Sequence, residues 1–266
     1  ALGKVGIAVS HKSLARDLQA GLGALAAASE LEAPTNLGIT FRPGASRGRH
    51  GANCRRATRL KLGHGRLRRI RAIRRSLPSR KHRMVRIVMQ GLRPAMDFGS
   101  RIAGISDAEL RGRRKTLLAL APPSVGGSSL SAKLALHGDP AWAWAMAPAR
   151  AWSEEIWRAA CGKGPPSLDF VDLRRLWAAA RPEEATKWRT CKGPLQACVL
   201  SLRRIGWEPK GPFRVIDDLG RTIVIVKHSP AMYDKMLKEC VQRSHERQLA
   251  KKLFGAQLVG DMEEQD

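Results

Sequence analysis

The sequence predicts a mainly α-helical chain of short helices, with a small β element near residues 36–41 and a β-hairpin near residues 213–226. Two observations predict this fold class. Apolar residues recur at spacings of three and four through most of the chain, which is the pattern of one buried helix face. Prolines divide that pattern into short segments, because proline interrupts a helix. The dividing prolines are Pro34, Pro78, Pro94, Pro122, Pro123, Pro148 and Pro182.

The amino-terminal third is predicted to contain three helices and one strand. Leucines at helical spacing between residues 14 and 25 define the first helix, which Pro34 ends, and residues 36–41 follow as a short strand. The next stretch, to residue 53, is rich in Gly, Ser and Arg and is predicted to be a loop. Residues 55–77 and 79–92 are predicted to be two basic helices, each ended by a proline.

The middle of the chain carries explicit helix boundary signals. Ser106 and Glu109 match a capping box, in which each residue satisfies an amide of the other, and this predicts a helix to Ala121. A short helix is predicted over residues 130–136, with Gly138 as the residue that follows its end.

Three more helical segments are expected before residue 205. Asp139-Pro140 is predicted to restart a helix with the proline at its first position, and Pro148 must break or kink that helix. Ser167 is predicted to open a helix that runs to Arg181 and ends at a proline. A further short helix is expected between residues 191 and 204.

The carboxyl-terminal part changes character. Residues 213–216 and 222–226 are rich in β-branched side chains, and the turn residues Asp217-Asp218-Leu219-Gly220 stand between them, so we expect a hairpin. Ser229 before Pro230 then predicts the start of a long helix that ends near Phe254.

These elements suggest five segments along the chain. They are residues 1–41, a basic helical segment over 42–105, a helical Trp-rich segment over 106–204, a hairpin plus long helix over 205–254, and an acidic tail over 255–266.

Positive charge is concentrated in one stretch of the chain. The 266 residues carry a net charge of +25. Residues 42–93, which we call the Arg-rich segment, hold 18 Lys and Arg and no carboxylate, whereas residues 94–266 hold 27 basic and 20 acidic side chains. Such a block has no internal counter-charge, so a polyanion is the expected partner, and nucleic-acid phosphate is favoured over an acidic membrane because the segment lacks interfacial aromatics.

The residues that we expect to contact nucleic acid all lie in this segment. They are Arg55, Arg56, Arg59, Arg66, Arg68, Arg69, Arg71, Arg74, Arg75, Arg80 and Lys81. Arginine suits phosphate because its planar fork donates to two oxygens at once. The segment has no Phe, Trp or Tyr to stack on a base and only Asn53 and Gln90 as amides. We therefore expect contacts to RNA and DNA backbones without sequence preference.

Signatures of several enzyme classes are missing from the sequence. It contains no phosphate-binding Gly-x-x-x-x-Gly-Lys loop, no Gly-x-Ser-x-Gly nucleophile elbow and no Cys-x-x-Cys pair. Five unevenly spaced cysteines suggest a reducing, intracellular compartment, nuclear or cytoplasmic. No apolar run approaches the length of a membrane span. We predict no metal site and no cofactor in this chain, and we interpret Asp217-Asp218 as a plain turn.

The seven tryptophans allow two interpretations. Trp142, Trp152 and Trp157 alternate with alanine and other apolar residues, which favours core packing. Stacking on nucleic-acid bases is the alternative.

The order of several short motifs resembles non-LTR (LINE-type) retrotransposon reverse transcriptases. Residues 4–10 (Lys-Val-Gly-Ile-Ala-Val-Ser) and the Asn-Leu-Gly-Ile-Thr-Phe stretch at 36–41 resemble the region just after that family's catalytic Asp-Asp motif. Residues 97–106, with Phe-Gly-Ser and Gly-Ile-Ser, resemble the end of its basic thumb. The His-Gly-Asp-Pro stretch at 137–140, with the Gly-Trp, Asp-Asp-x-Gly and Ser-Pro elements near the end, resembles its connector before an RNase H domain.

The resemblance implies roles for three residues and also bears on whether this chain is an enzyme. Lys4 would be the lysine that lies near the incoming nucleotide, although Val5 stands where the family has Thr, and Leu37 and Gly38 would lie at the primer grip. The first three segments would then be palm edge, thumb and connector. The intact family is an RNA-directed DNA polymerase that uses Mg²⁺, but its catalytic carboxylates are absent from this chain, so the sequence leaves enzyme activity undecided and implies that the rest of a larger polyprotein is missing. The first residue, Ala1, is consistent with a fragment or a processed product.

Two other functional classes stay open. The chain could be a free-standing basic RNA-binding or ribosomal-type protein, in which the Arg-rich helices pack into RNA. It could also be an interaction protein with a basic arm and no nucleic-acid partner.

Overall fold

The computed structural model describes the side chains of residues 62–63, 65–70, 72–73, 99–118, 129–162 and 168–255, and the backbone alone of eight strand residues before position 41 and of residues 119–120. The described helices are α1 (Ser100–Ala103), α2 (Asp107–Leu120), α3 (Leu130–His137), α4 (Trp142–Ala145), α5 (Ala147–Cys161), α6 (Phe170–Ala180), α7 (Pro194–Arg203) and α8 (Pro230–Phe254). Residues 62–63, 65–70 and 72–73 are also helical. The fold is mainly α with a small antiparallel β element, as the sequence predicts.

The strands are short. They are β1 (Gly6–Ile7), β2 (Ser29–Glu30), β3 (Thr35–Asn36), β4 (Ile39–Thr40), β5 (Glu208–Pro209), β6 (Arg214–Ile216) and β7 (Thr222–Val224). The predicted hairpin is confirmed, because β6 pairs antiparallel with β7, with Val215 opposite Ile223. β5 adds a third strand beside β6.

The prediction for the first β element was only partly right. Residues 36–41 are not one strand, since β3 and β4 pair antiparallel with Asn36 opposite Ile39. β structure also occurs outside the two predicted places, since β1 pairs with β2 in parallel. Contacts distant in sequence decide such a pairing, and a local pattern does not reveal them.

Helix α2 begins where the capping box predicts. The Ser106 amide donates to a Glu109 carboxylate oxygen at 3.0 Å, and the Glu109 amide donates back to the Ser106 hydroxyl at 3.4 Å. The Ser229 start of α8 is confirmed as well, because its hydroxyl accepts from the Met232 amide. Gly138 follows α3 with a positive φ of 75°, as its C′ position requires.

Two predicted helix starts were wrong. Asp139 folds its carboxylate onto the Ala141 amide at 2.8 Å, so the chain makes a turn through Pro140 and α4 begins only at Trp142. Asp169, two residues beyond the predicted start, caps α6 by accepting from its third amide. In both places an Asp carboxylate accepts a hydrogen bond from a backbone amide two or three residues further along the chain. Such side-chain hydrogen bonds compete with regular backbone hydrogen bonding and shift the start of a helix.

α5 lies at the centre of the helical packing. It contacts α1, α6, α7 and α8, and Pro148 stands in its first turn, so the predicted break falls at Met146 between α4 and α5. The largest buried side chains around it include Trp144, Trp207 and Tyr233. The rings of Trp207 and Tyr233 meet edge to face at 5.8 Å between centroids, which joins the hairpin region to α8.

Candidate nucleic-acid interface

The Arg-rich segment contains three described candidate arginines. Arg66, Arg68 and Arg69 lie in the helical stretch 65–70, and all three are exposed. The other candidates lie outside the described residues. They are Arg55, Arg56, Arg59, Arg71, Arg74, Arg75, Arg80 and Lys81.

Apolar residues of the same stretch hold it against the protein. Leu67 is 4% exposed and Ile70 is 7% exposed, and both belong to the core cluster that contains Trp144 and Trp207. Because Leu67 and Ile70 are three residues apart, they lie on one helix face. The intervening Arg68 and Arg69 therefore face solvent on the other side of the helix.

Two of these exposed arginines have no carboxylate partner among the described residues. Neither Arg68 nor Arg69 forms an ion pair with a carboxylate in the described part of the chain. Elsewhere most arginines near the core are paired, as Arg150 is with Asp234 and Arg204 with Asp107. The positive charge on this helix face is thus directed outward, where a phosphate backbone could neutralise it.

The exposed face of α2 adds two cations that sequence reasoning missed. Arg111 and Lys115 are four residues apart and both are exposed, while Leu110 and Leu117 of the same helix join the core cluster of Leu67. The acidic residues of α2 are engaged at its start, Asp107 by Arg204 and Glu109 by the capping box. The sequence could have indicated them, because Arg111 and Lys115 are four residues apart in the basic run Arg-Gly-Arg-Arg-Lys that follows the capping box.

The residues singled out by resemblance lie outside the described part of the chain. Lys4 precedes β1 by two positions, and Leu37 and Gly38 stand between β3 and β4.

Asp217 is occupied by the hairpin turn, as predicted. Its Oδ1 accepts from the amides of Leu219 at 3.0 Å and Arg221 at 2.8 Å, and its Oδ2 accepts from the Arg221 side chain. Burial acts to raise the pKa of Asp217, but these hydrogen bonds outweigh it and lower the pKa below its ordinary value.

Asp218 is held by the final helix. Arg243 donates to both of its oxygens, at 2.7 and 2.9 Å, and Arg247 and the indole of Trp207 also donate to it. Burial acts to raise the pKa of Asp218, but hydrogen bonds and the charges of Arg243 and Arg247 hold it far below its ordinary range. Both Asp218 oxygens therefore accept hydrogen bonds that a bound metal ion would have to displace.

The tryptophans pack mainly into the core. Trp152 is buried and lies 5.8 Å from the Trp177 ring, with its indole donating to the Pro212 carbonyl. Trp142 is half-buried against the same core, under the guanidinium of Arg150, and Trp157 is half-buried. These positions agree with the packing interpretation.

The described residues contain no group of three or more His, Cys, Asp or Glu side chains arranged to hold a metal ion. None of their helices combines the length and the apolar character that crossing a membrane requires. Comparison with protein-family models, with curated proteins and with solved structures finds no match for this chain.

Proposed function

We propose that this chain binds nucleic acid through the phosphate backbone, using the Arg-rich segment as its contact surface. One observation carries the proposal: Leu67 and Ile70 fix the helix in the core while Arg68 and Arg69 are exposed without a carboxylate partner in the described part of the chain. A basic helix anchored in this way presents its charges at fixed positions, which reduces the ordering cost of binding a regular array of phosphates.

We further propose that the chain is the non-catalytic palm edge, thumb and connector of a non-LTR retrotransposon reverse transcriptase. The motif order described above supports this proposal, and so does the basic character of the helix face. A thumb holds an A-form-like duplex by its backbone, which needs arginine and lysine on helix surfaces rather than base-reading side chains. A free-standing RNA-binding or ribosomal-type protein would use the same surface on folded RNA.

A salt titration tests the backbone-binding proposal. If six to eight phosphates are neutralised, the logarithm of the binding constant should fall with the logarithm of salt at a slope of about −5 to −7 on duplexes, and less steeply on single strands. Replacing Arg68, Arg69, Arg71 and Arg74 together by Gln should weaken binding to unrelated RNA and DNA duplexes alike and flatten the slope by about one unit for each lost contact.

The matched control removes four other exposed cations and so changes the net charge equally. Lys187, Arg189, Lys235 and Lys238 are exposed, and Gln at these positions should leave the slope near the wild-type value. An unchanged slope in the fourfold arginine variant, or strong discrimination among sequences, would show that the binding surface lies elsewhere, for example in the region of Trp142 and Trp157.

A further inference from the structure

A small polar cavity lies among four helical elements, and no described residue of the Arg-rich segment lines it. Its volume is about 30 Å³, and it is bordered by α2, the junction of α4 and α5, the end of α7, and α8. Its polar lining consists of Arg114, Arg204, Ser244, His245 and Gln248, and the rest is apolar. None of these lining residues is a carboxylate. Since one water requires about 10–15 Å³ of such space, the cavity has room for about two oxygen-sized atoms.

Two guanidinium groups are fixed at this cavity by their other contacts. Arg114 donates through Nε and Nη2 to the buried Asp139, at 2.9 and 2.5 Å, which leaves Nη1 without a partner in the described part of the chain. Arg204 donates to Asp107 at 2.7 Å and to the carbonyls of Ile105 and Ala145, and it stacks on Trp188. Neither cation is free to swing away.

The two positive charges act on each other. Burial lowers the pKa of Arg204, its ion pair with Asp107 offsets part of the decrease, and the nearby charge of Arg114 adds to it. Asp107 and Asp139 already favour the charged form of Arg204, and a further negative group in the cavity would act in the same direction.

Neutral donors complete the lining on α8. The side chains of Ser244 and Gln248 form no hydrogen bond with another described residue, and they lie four residues apart on one helix face. Gln248 is exposed, so this side of the cavity is reached from solvent. His245 is turned to Asp139, with Nε2 3.3 Å from Oδ2.

We propose that this cavity is an oxyanion site that accepts the terminal oxygens of one phosphate group. The group comes either from inorganic phosphate or from a nucleic-acid strand. Two fixed guanidinium groups, each already paired with a carboxylate, offer their remaining N–H groups, and the Ser244 hydroxyl and Gln248 amide supply neutral hydrogen bonds to the oxygens. The proposal goes beyond the proposed function, because none of the cavity residues belongs to the Arg-rich segment.

Titration calorimetry of the full chain with inorganic phosphate, at constant ionic strength against chloride, tests the site. We expect a saturable one-to-one component. Gln248→Glu places a negative charge at the opening and should weaken this component at least about tenfold, whereas Lys235→Gln makes the same change in net charge and should alter it less than about twofold. Both positions are on α8 and solvent-accessible, so both variants should fold. Ser244→Ala removes one donor and should weaken binding more modestly.

The two sources of phosphate are distinguished by competition. A 5′-phosphorylated oligonucleotide that displaces inorganic phosphate in the wild type, but not in Gln248→Glu, would identify a strand phosphate as the ligand, and no displacement would identify the free ion. The proposal is overturned if phosphate gives no saturable component, or if Gln248→Glu and Lys235→Gln bind it equally, in which case the cavity holds water only. Either result leaves the salt slope on duplexes, and with it the proposed function, unaffected.

Discussion

Asp218 in the hairpin turn and Arg243 on α8 form a two-pronged ion pair, with Nε–Oδ2 and Nη2–Oδ1 distances of 2.9 and 2.7 Å. The Asp218 side chain is 1% exposed and that of Arg243 is 32% exposed, so the carboxylate is shielded from water while the guanidinium is partly solvated. Arg247, one turn further along α8, donates to the same carboxylate at 2.9 Å. The contact ties the turn between β6 and β7 to a helix that starts six residues after β7 ends.

Substituting Asp218 should destabilise the fold strongly. Asp218→Asn removes the negative charge and leaves the partly solvated Arg243 and Arg247 facing a neutral amide, and losing such charged hydrogen bonds costs about 1.5–3 kcal/mol. Asp172→Asn is the matched control, because Asp172 forms an exposed ion pair with Arg175 at 3.8 Å and should cost less than about 1 kcal/mol. Urea unfolding of the two variants measures both free energies. Equal, small effects would show that the hairpin is held by apolar contacts alone.

The same carboxylate predicts how stability depends on pH. Because the folded state lowers the pKa of Asp218, its stabilising contribution is present above the ordinary pKa of about 3.9 and is lost as pH falls toward the lower folded value. The difference in unfolding free energy between wild type and Asp218→Asn should therefore be constant from pH 7 to about 5 and shrink below about 4. A difference that grows on acidification would contradict the assigned ion pair.

Anchoring of the Arg-rich segment can be tested with one apolar residue from each of two described helical stretches, 65–70 and 72–73. Leu67 is 4% exposed and Ile73 is 42% exposed. Leu67→Ala should weaken the anchor by about 2–5 kcal/mol, and Ile73→Ala by less than about 1 kcal/mol. Limited trypsin digestion with mass spectrometry is the suitable measurement, because it detects local opening of the stretch as well as global unfolding. Leu67→Ala should speed cleavage after the neighbouring arginines, and equal rates in the two variants would show that Leu67 does not fix the segment.

Local chemistry explains which features could be predicted from the sequence. The capping box at Ser106, the Ser229 cap and the turn at Asp217 depend on residues within four positions, so their signals are complete in the sequence. The start of α4 was mispredicted because the Asp139 carboxylate turns back to the Ala141 amide instead of continuing the helix. Arg114, Arg204 and Gln248 converge from three separate elements, and no linear pattern could place them around one cavity.

The isolated chain is expected to lack primer-extension and nuclease activity with Mg²⁺ or Mn²⁺. Asp217 and Asp218 are its adjacent carboxylate pair in an apolar setting, and their oxygens accept from backbone amides and arginines. Metal binding would have to displace these donors, and a two-metal centre also needs further carboxylates. A primer-extension and nuclease assay checks the expectation. Activity that disappears in Asp217→Asn would show that the pair serves catalysis and not only the turn.

Gly104 closes the α1 turn under Trp188 and should tolerate no side chain. Its φ of 60° and ψ of −171° lie in a region that only glycine adopts readily, and an added Cβ would stand 2.5 Å from Cζ3 of Trp188. Trp188 cannot move freely, because the Arg204 guanidinium stacks on it at 4.7 Å while also holding Asp107.

Gly162 provides the matched control for this position. It has nearly the same φ of 61°, but its ψ of 21° lies in the left-handed helical region and an added Cβ would meet nothing within 4 Å. Gly162→Ala should therefore cost only about 1 kcal/mol, from backbone strain alone, whereas Gly104→Ala adds overpacking against Trp188 and should cost more than about 3 kcal/mol. Thermal and urea unfolding compare the two variants directly. If both lose the same small amount, Trp188 must rotate out of its place, and its fluorescence should then shift toward that of an exposed indole in Gly104→Ala alone.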